Sequence, residues 1–212
     1  MAMHEMRKDY TMAGLHESDL DPDPIAQFHI WFADAQLAKG SEPNAMTLAT
    51  ADASGNPSAR TVLLKEVDER GFVFYSNYES HKGQQLAENP RAELLFFWQE
   101  MERQVRIHGT VSRTDVSESG AYFDSRPLGN QLGATVSPQS QVIPNREFLE
   151  QKFAELEAQY ASDPVPMPAY WGGYRVVPET IEFWQGRVSR LHDRLRYRRA
   201  ESGAWVVERL AP

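Results

Sequence analysis

The feature that most constrains this chain is a change of hydrophobic period. From Asn44 onward, β-type runs follow one another across turn-forming clusters, and helical segments are inserted among them rather than alternating with them. The runs 45–51 and 58–67 flank Asp52-Ala53-Ser54-Gly55-Asn56-Pro57, a hairpin-like cluster. Asp68-Glu69-Arg70-Gly71 turns the chain into 72–76, and the runs 91–99 and 103–113 flank Glu100-Met101-Glu102. Strands over 173–177, 180–184 and 204–210 close the pattern, with a β-type segment over 190–199 before the last. Helices are expected over 80–88, 116–124 and 146–160. Another begins at Asp21-Pro22-Asp23-Pro24, where an Asp cap and a first-turn Pro precede Ile25, Phe28, Phe32 and Ala35 at helical spacing, with Gly40 as its C′ residue. About eight strands joined by short turns pair mostly antiparallel, and the lack of βαβ units disfavours a doubly wound sheet. The expected fold is mostly β (α+β), an antiparallel barrel with peripheral helices. Residues 21–212 form one domain, and 1–20 a flexible N-terminal arm.

Composition removes several classes of function. Thirty acidic against 22 basic residues give a net charge of −8, the wrong sign for a general nucleic-acid or anionic-membrane binder. There is no cysteine, which excludes disulfides, thiolate metal sites, Fe–S clusters and thiol nucleophiles. The longest apolar run, 94–98, is too short to span a bilayer, and the first ten residues hold no apolar signal core, so a soluble, cytoplasmic protein is expected. The six His are scattered without metal-ligand spacing, so no metal is expected; no G-x-S-x-G elbow, G-x-G-x-x-G or P-loop occurs.

What remains is a set of anion and ring contacts. Seventeen of the 22 basic residues are Arg, suited to planar recognition of phosphate and carboxylate, although GC-rich coding would raise the same count. Arg60 and Lys65 lie five apart, on opposite faces of a regular strand, where they address two anions or one is simply solvated. Tyr75-Ser76 leads to Ser80-His81-Lys82-Gly83, either a phosphate cradle at a helix start or an ordinary Ser cap. Gln104 sits in an apolar stretch beside Arg103 and Arg106, as a ring-edge contact or an outward amide. Tyr122 and Arg126, four apart near a helix end, could grip one phosphate or merely stack. Arg190, His192 and Arg194 alternate beyond the aromatic pair Phe183-Trp184 and would share a strand face, either as a site or as a solvated edge. Such contacts without a nucleophile or metal suit an enzyme whose cofactor supplies the reactivity.

Arg60-Thr61-Val62-Leu63-Leu64-Lys65, Phe74-Tyr75-Ser76-Asn77 with Ser80-His81-Lys82, and Tyr122-Phe123-Asp124-Ser125-Arg126-Pro127 together resemble pyridoxine/pyridoxamine 5′-phosphate oxidase. So do Glu102-Arg103-Gln104-Val105, Trp171-Gly172-Gly173, Ile181-Glu182-Phe183-Trp184-Gln185-Gly186, Arg190-Leu191-His192-Asp193-Arg194 and Arg209-Leu210-Ala211-Pro212. The resemblance runs in order from about Met6 to Pro212. It implies an FMN-binding split β-barrel homodimer with FMN at the subunit interface. It further implies that Arg60 to Lys65, Tyr75, Ser76, Lys82, Gln104, Gln139, Ser140, Trp184 and Arg194 contact FMN. Lys65, Tyr122, Arg126, Arg190 and His192 would contact the phosphorylated pyridine substrate, with Arg190 and His192 as the catalytic pair. Arg7, Lys8, Asp9 and Tyr10 match a segment that covers the site or contacts a second pyridoxal phosphate.

Three positions depart from the family pattern. His81 stands where a phosphate-binding Arg is common, Asn130 replaces a substrate-binding Ser, and Thr135 replaces a frequent Trp. The implied reaction oxidises the 4′ carbon of pyridoxamine or pyridoxine 5′-phosphate with O2, giving pyridoxal 5′-phosphate and H2O2, plus ammonia from the amine. The competing readings are a split-barrel flavin oxidase of the phenazine-biosynthesis type and a non-enzymatic flavin or pyridoxal-phosphate carrier. The Tyr122/Arg126 pair counts against the first of these.

Overall fold

A computed structural model describes residues 2–5, 9–38 and 42–212. Arg7, Lys8 and Gly40, which carried expectations above, lie outside the described residues. The elements are α1 (Pro24–Leu37), β1 (Ala45–Ala51), β2 (Pro57–Leu63), β3 (Glu66–Asp68), β4 (Gly71–Asn77), α2 (His81–Glu88), β5 (Arg91–Trp98) and β6 (Arg103–Arg113). There follow α3 (Val116–Asp124), α4 (Leu128–Val136), α5 (Arg146–Gln159), β7 (Trp171–Gln185), β8 (Asp193–Arg199) and β9 (Trp205–Arg209).

The strands form one antiparallel sheet in the order β2-β1-β5-β6-β7-β4-β3, with β8 on β7 and β9 on β8. This is the expected α+β, mostly β, split-barrel fold. Its pivot is β7, which pairs β6 along its length while β4 takes residues 171–176 of its other edge and β8 takes 180–185. Two expected strands are therefore one. The interruption at Pro178-Glu179 is a bulge, not an end: the register shifts between His108 and Gly109, which face Thr180 and Pro178. Gly109 permits this, because a Cβ there would lie 2.0 Å from the Val177 carbonyl oxygen.

Helix α1 plugs the curled sheet. Asp23 accepts from the Ile25 amide at 3.0 Å and Pro24 opens the first turn, as its sequence dictates. Phe28 meets Phe72 and Phe96 edge-on at 4.9 and 5.2 Å, and Trp31 meets Phe183 at 5.0 Å. Phe28 is fully buried, and truncation to Ala would cost about 3–5 kcal/mol. A smaller core of Phe123, Leu132, Val165 and Trp171 holds α3 and α4 against the sheet. Helix α4, with two glycines in nine residues, was not expected from the sequence.

Residues 9–20, read above as an arm, lie along the sheet: Leu15 is buried, and Arg209 holds the Leu15 carbonyl and the Glu17 carboxylate. Among the described residues no helix is long and apolar enough to cross a membrane.

Candidate functional site

The expected run 58–67 breaks after Leu63. Leu64 turns its side chain into the core and pairs its backbone with Asn44, so it does not line the site as the resemblance implied. Lys65 then starts a new alignment, its backbone N–H donating a hydrogen bond to the Val73 carbonyl. This break corrects the two-face expectation: Arg60 and Lys65 line the same cavity, because the face alternation holds only within an unbroken strand.

That cavity has a volume near 590 Å³. Thr61, Val62 and Leu63 give one wall, Tyr75 and Ser76 a second, and Tyr122, Arg126 and Asn130 a third. Arg60, Lys65, Lys82 and Arg126 all line it, and no acidic residue does among the described residues. Among the described residues, four cations and no carboxylate make this cavity locally positive in a chain of net charge −8.

Lys82 is buried beneath this wall. Its Nζ donates to Gln139 Oε1 at 2.7 Å, Ser76 Oγ at 3.1 Å and Ser80 Oγ at 3.3 Å, all neutral acceptors. Burial, then the nearby Arg60 cation, lowers its pKa to about 8. Ser80 also caps α2, accepting from the Gly83 amide, so the ordinary Ser cap is present. Arg60 Nη1 donates to Thr50 Oγ1 at 2.6 Å and to the Leu48 carbonyl at 3.2 Å.

The opposite wall is aromatic. Tyr75 stacks on Tyr122 with centroids 3.9 Å apart and on Trp171 at 5.4 Å. Burial pushes the Tyr75 pKa up to about 12, keeping it a neutral donor. Arg126 lies past the end of α3, not on its face, and its guanidinium covers Trp171 at 4.8 Å. Its Nη1 is buried and has no hydrogen-bond partner among the described residues. A buried unpartnered guanidinium nitrogen is costly, and a bound anion would satisfy it. Trp171 was not among the candidate residues. Its only sequence signal is the following Gly172-Gly173, where a Cβ would collide with Tyr78 and Thr114.

Other candidates lie elsewhere. His81 is exposed and does not line the cavity, because successive helix positions differ by about 100° and Lys82 faces inward. Ser140 is exposed in a left-handed turn with φ 71°. Gln104, Trp184 and Arg194 form one cross-strand row on the outer face of β6, β7 and β8. Arg194 donates from Nε and Nη2 to both oxygens of Glu182, at 2.8 and 3.0 Å. His192 stacks obliquely on Trp184 at 4.5 Å and accepts the Arg187 amide on Nδ1 at 3.1 Å. In the neutral ring that bond puts the proton on Nε2. Burial, then Arg190, lowers the His192 pKa. The expected alternation of 190, 192 and 194 fails: β8 starts at Asp193, and Ser189 and Arg190 have φ of 57° and 61°, so Arg190 belongs to a turn. Asp9 is exposed, whereas the Tyr10 ring is 5.8 Å from both Trp184 and His192.

Comparison with known proteins gives the family and the fold. Residues 32–160 match the family described as pyridoxamine 5′-phosphate oxidase, and 171–212 match the pyridoxine 5′-phosphate oxidase C-terminal dimerisation region. The chain is 58% identical to the pyridoxine/pyridoxamine 5′-phosphate oxidase of Paraburkholderia phymatum, over 98% of each chain. It is 56% identical to that of Gloeothece citriformis, over 98% of this chain and 97% of the relative. Among solved structures it resembles PhzG from Burkholderia lata 383 in complex with tetrahydrophenazine-1-carboxylic acid, with TM-score 0.87 and 34% identity over 92% of this chain and 95% of that one. A pyridoxamine 5′-phosphate oxidase-related, FMN binding protein from Nostoc punctiforme shares the fold, with TM-score 0.71 and 18% identity over 91% of this chain and all of that one.

Proposed function

The chain belongs to the pyridoxamine 5′-phosphate oxidase family of oxidoreductases, and from that premise we propose that it oxidises pyridoxamine and pyridoxine 5′-phosphates to pyridoxal 5′-phosphate, with FMN as cofactor. The amine reaction consumes O2 and water and yields H2O2 and ammonia; the alcohol reaction consumes O2 and yields H2O2. The observation that carries this reading is the cavity, which among the described residues has four cations, no acidic residue and a buried Arg126 Nη1 without a hydrogen-bond partner. Two phosphorylated ring compounds need such a donor set: cations for the phosphates and an aromatic wall for the rings.

In this proposal Arg60, Ser76, Lys82 and Gln139 hold FMN, and Lys65, Tyr122, Arg126 and Asn130 hold the substrate phosphate. When bound, FMN supplies the two-electron redox chemistry that links the 4′ carbon to O2. The protein's share is placement: one anchor set for FMN and one for the substrate phosphate would fix the two molecules relative to each other and remove the substrate's rotational freedom before reaction. His192 keeps a proton on Nε2 because the Arg187 amide occupies Nδ1, so the ring offers a hydrogen-bond donor at neutral pH.

Gln104, Trp184, Arg190, His192 and Arg194 do not line this chain's cavity. All but Gln104 fall in the matched dimerisation region, which points to a homodimer. We therefore place these residues of a second copy over the cavity of the first, completing two symmetric sites. The test is an aerobic assay of the purified protein on both substrates, after recording its visible spectrum. Flavin absorption with equimolar pyridoxal 5′-phosphate and H2O2 is expected; no product from either substrate overturns the reading.

The likeness to PhzG favours a second reading, oxidation of a phenazine precursor. The 58% identity to a pyridoxine/pyridoxamine 5′-phosphate oxidase, against 34% to PhzG, and a cation set suited to phosphate weigh against it. Tetrahydrophenazine-1-carboxylic acid in the same assay separates the two.

A further inference from the structure

Residues 9–20 are bound to the sheet by a chain of contacts that ends at His192. Two of their amides donate to carboxylates: Met12 to Glu102 Oε2 and Leu15 to Asp193 Oδ2, both at 3.1 Å. Glu102 is only 2% exposed, and the Leu15 side chain 3%. From β9, Arg209 closes the junction. Its Nε and Nη2 donate to the two oxygens of Glu17 at 2.8 and 2.9 Å, its Nη1 to Asp193 Oδ1 at 2.8 Å, and its Nη2 also to the Leu15 carbonyl at 3.1 Å. Asp193 Oδ2 further accepts from Arg187 Nη1 at 3.3 Å, and the Arg187 amide is the donor to His192 Nδ1. One guanidinium thus fastens the N-terminal segment, through Glu17 and Leu15, to the residue next to His192.

What the segment carries gives the junction its use. Tyr10 lies against both Trp184 and His192, and a Cβ on Gly186 would come within 2.7 Å of its ring. A lone exposed ion pair is worth little. This one is bidentate, is shared between two carboxylates and also satisfies a backbone carbonyl, which is the case where such pairs count. The Arg209 hydrogen bonds hold the Glu17 carboxyl down at about 2.

We propose that Arg209 is a positioning residue for His192: through Glu17 and Asp193 it latches residues 9–20 in place, so that Tyr10 and the Arg187 amide fix the imidazole. This rests on the reading of His192 as a substrate contact, but its structural half can be tested without turnover.

The experiment compares full-length, FMN-loaded wild type with Arg209→Met and Glu17→Gln. The second variant alters only an exposed carboxylate and leaves the core untouched. Three readouts are taken: hydrogen exchange at the Leu15 amide, the His192 ring resonances by NMR, and kcat and KM for pyridoxine 5′-phosphate. Leu15 exchange is expected to accelerate roughly threefold in Glu17→Gln and about tenfold in Arg209→Met. The His192 resonances should shift in both variants, and kcat should fall while FMN affinity, read by flavin fluorescence, stays at the wild-type value. Unchanged exchange, or faster exchange with unmoved His192 resonances, overturns the proposal. A wild type that oxidises neither substrate overturns the functional reading instead, while exchange and resonances still decide the latch.

Discussion

The guanidinium of Arg126 lies over the indole of Trp171, 4.8 Å from its centroid, with Nη1 buried and no hydrogen-bond partner among the described residues. Stacking sets the plane of the group and leaves a donor for an anion. Arg126→Met should keep the stack's bulk and remove the donor. A charge-assisted hydrogen bond contributes about 1.5–3 kcal/mol, so KM for either substrate should rise about 10- to 150-fold. FMN affinity should not change; steady-state kinetics with a flavin titration checks both.

Lys82 makes a pH prediction. With a folded pKa of about 8 against an ordinary 10.5, the unfolded chain binds more protons at this site between those values. Lys82 therefore opposes folding fully below about pH 8, and the ligand-free protein should gain stability as pH rises from there towards 10.5. A bound phosphate favours the charged amine, so FMN affinity should fall over the same window. Lys82→Met should flatten that affinity profile and weaken FMN by about tenfold or more, while raising the melting temperature of the ligand-free protein. Flavin titrations at a series of pH values, with thermal melts, decide it.

The His192 imidazole should titrate below the ordinary value of 6.5, since burial and then the Arg190 cation disfavour its charge. Arg190→Ala removes one of those causes and should move the NMR titration up towards 6.5. Both Arg190→Ala and His192→Ala should lower kcat with FMN still bound. Unchanged turnover in both variants would remove the pair from the site.

If the cavity of one copy meets the Trp184–His192 patch of another, two impaired variants, assayed at substrate well below the raised KM, should rescue each other. Mixing Arg126→Met with Arg190→Ala under subunit exchange gives statistical heterodimers in which one site of two is intact. Activity should recover to about a quarter of wild type. No recovery would mean that both groups act within one chain.

Local order was legible in the residues. Strand β1, strand β6 and helix α3 fall on the expected bounds, and the Asp23 and Ser80 caps form as their sequences dictate, because periodicity and capping depend on neighbours a few positions away. Where a bulge or break interrupts the period, local pattern no longer marks the strand or its faces. The Gly109–Pro178 bulge fuses two expected strands, and the break at Leu64 puts Arg60 and Lys65 in one cavity. Helix α4 is not legible in the sequence, because its glycines mask a helix held by tertiary packing of Leu132.

The same division holds for the site. The sequence by itself determined which side chains are on hand: many Arg and no thiol, an acidic total that leaves the cations local, and ordered motifs that mark the family. Only the tertiary structure decided which cations converge without a carboxylate, that Gln139 reaches Lys82 across 57 residues, that Arg194 is engaged by Glu182, and that Arg190 and His192 lie outside this chain's cavity. The reason is physical. Residue type sets what a side chain can bind, whereas convergence depends on sheet register, strand breaks and burial, which involve residues far apart along the chain.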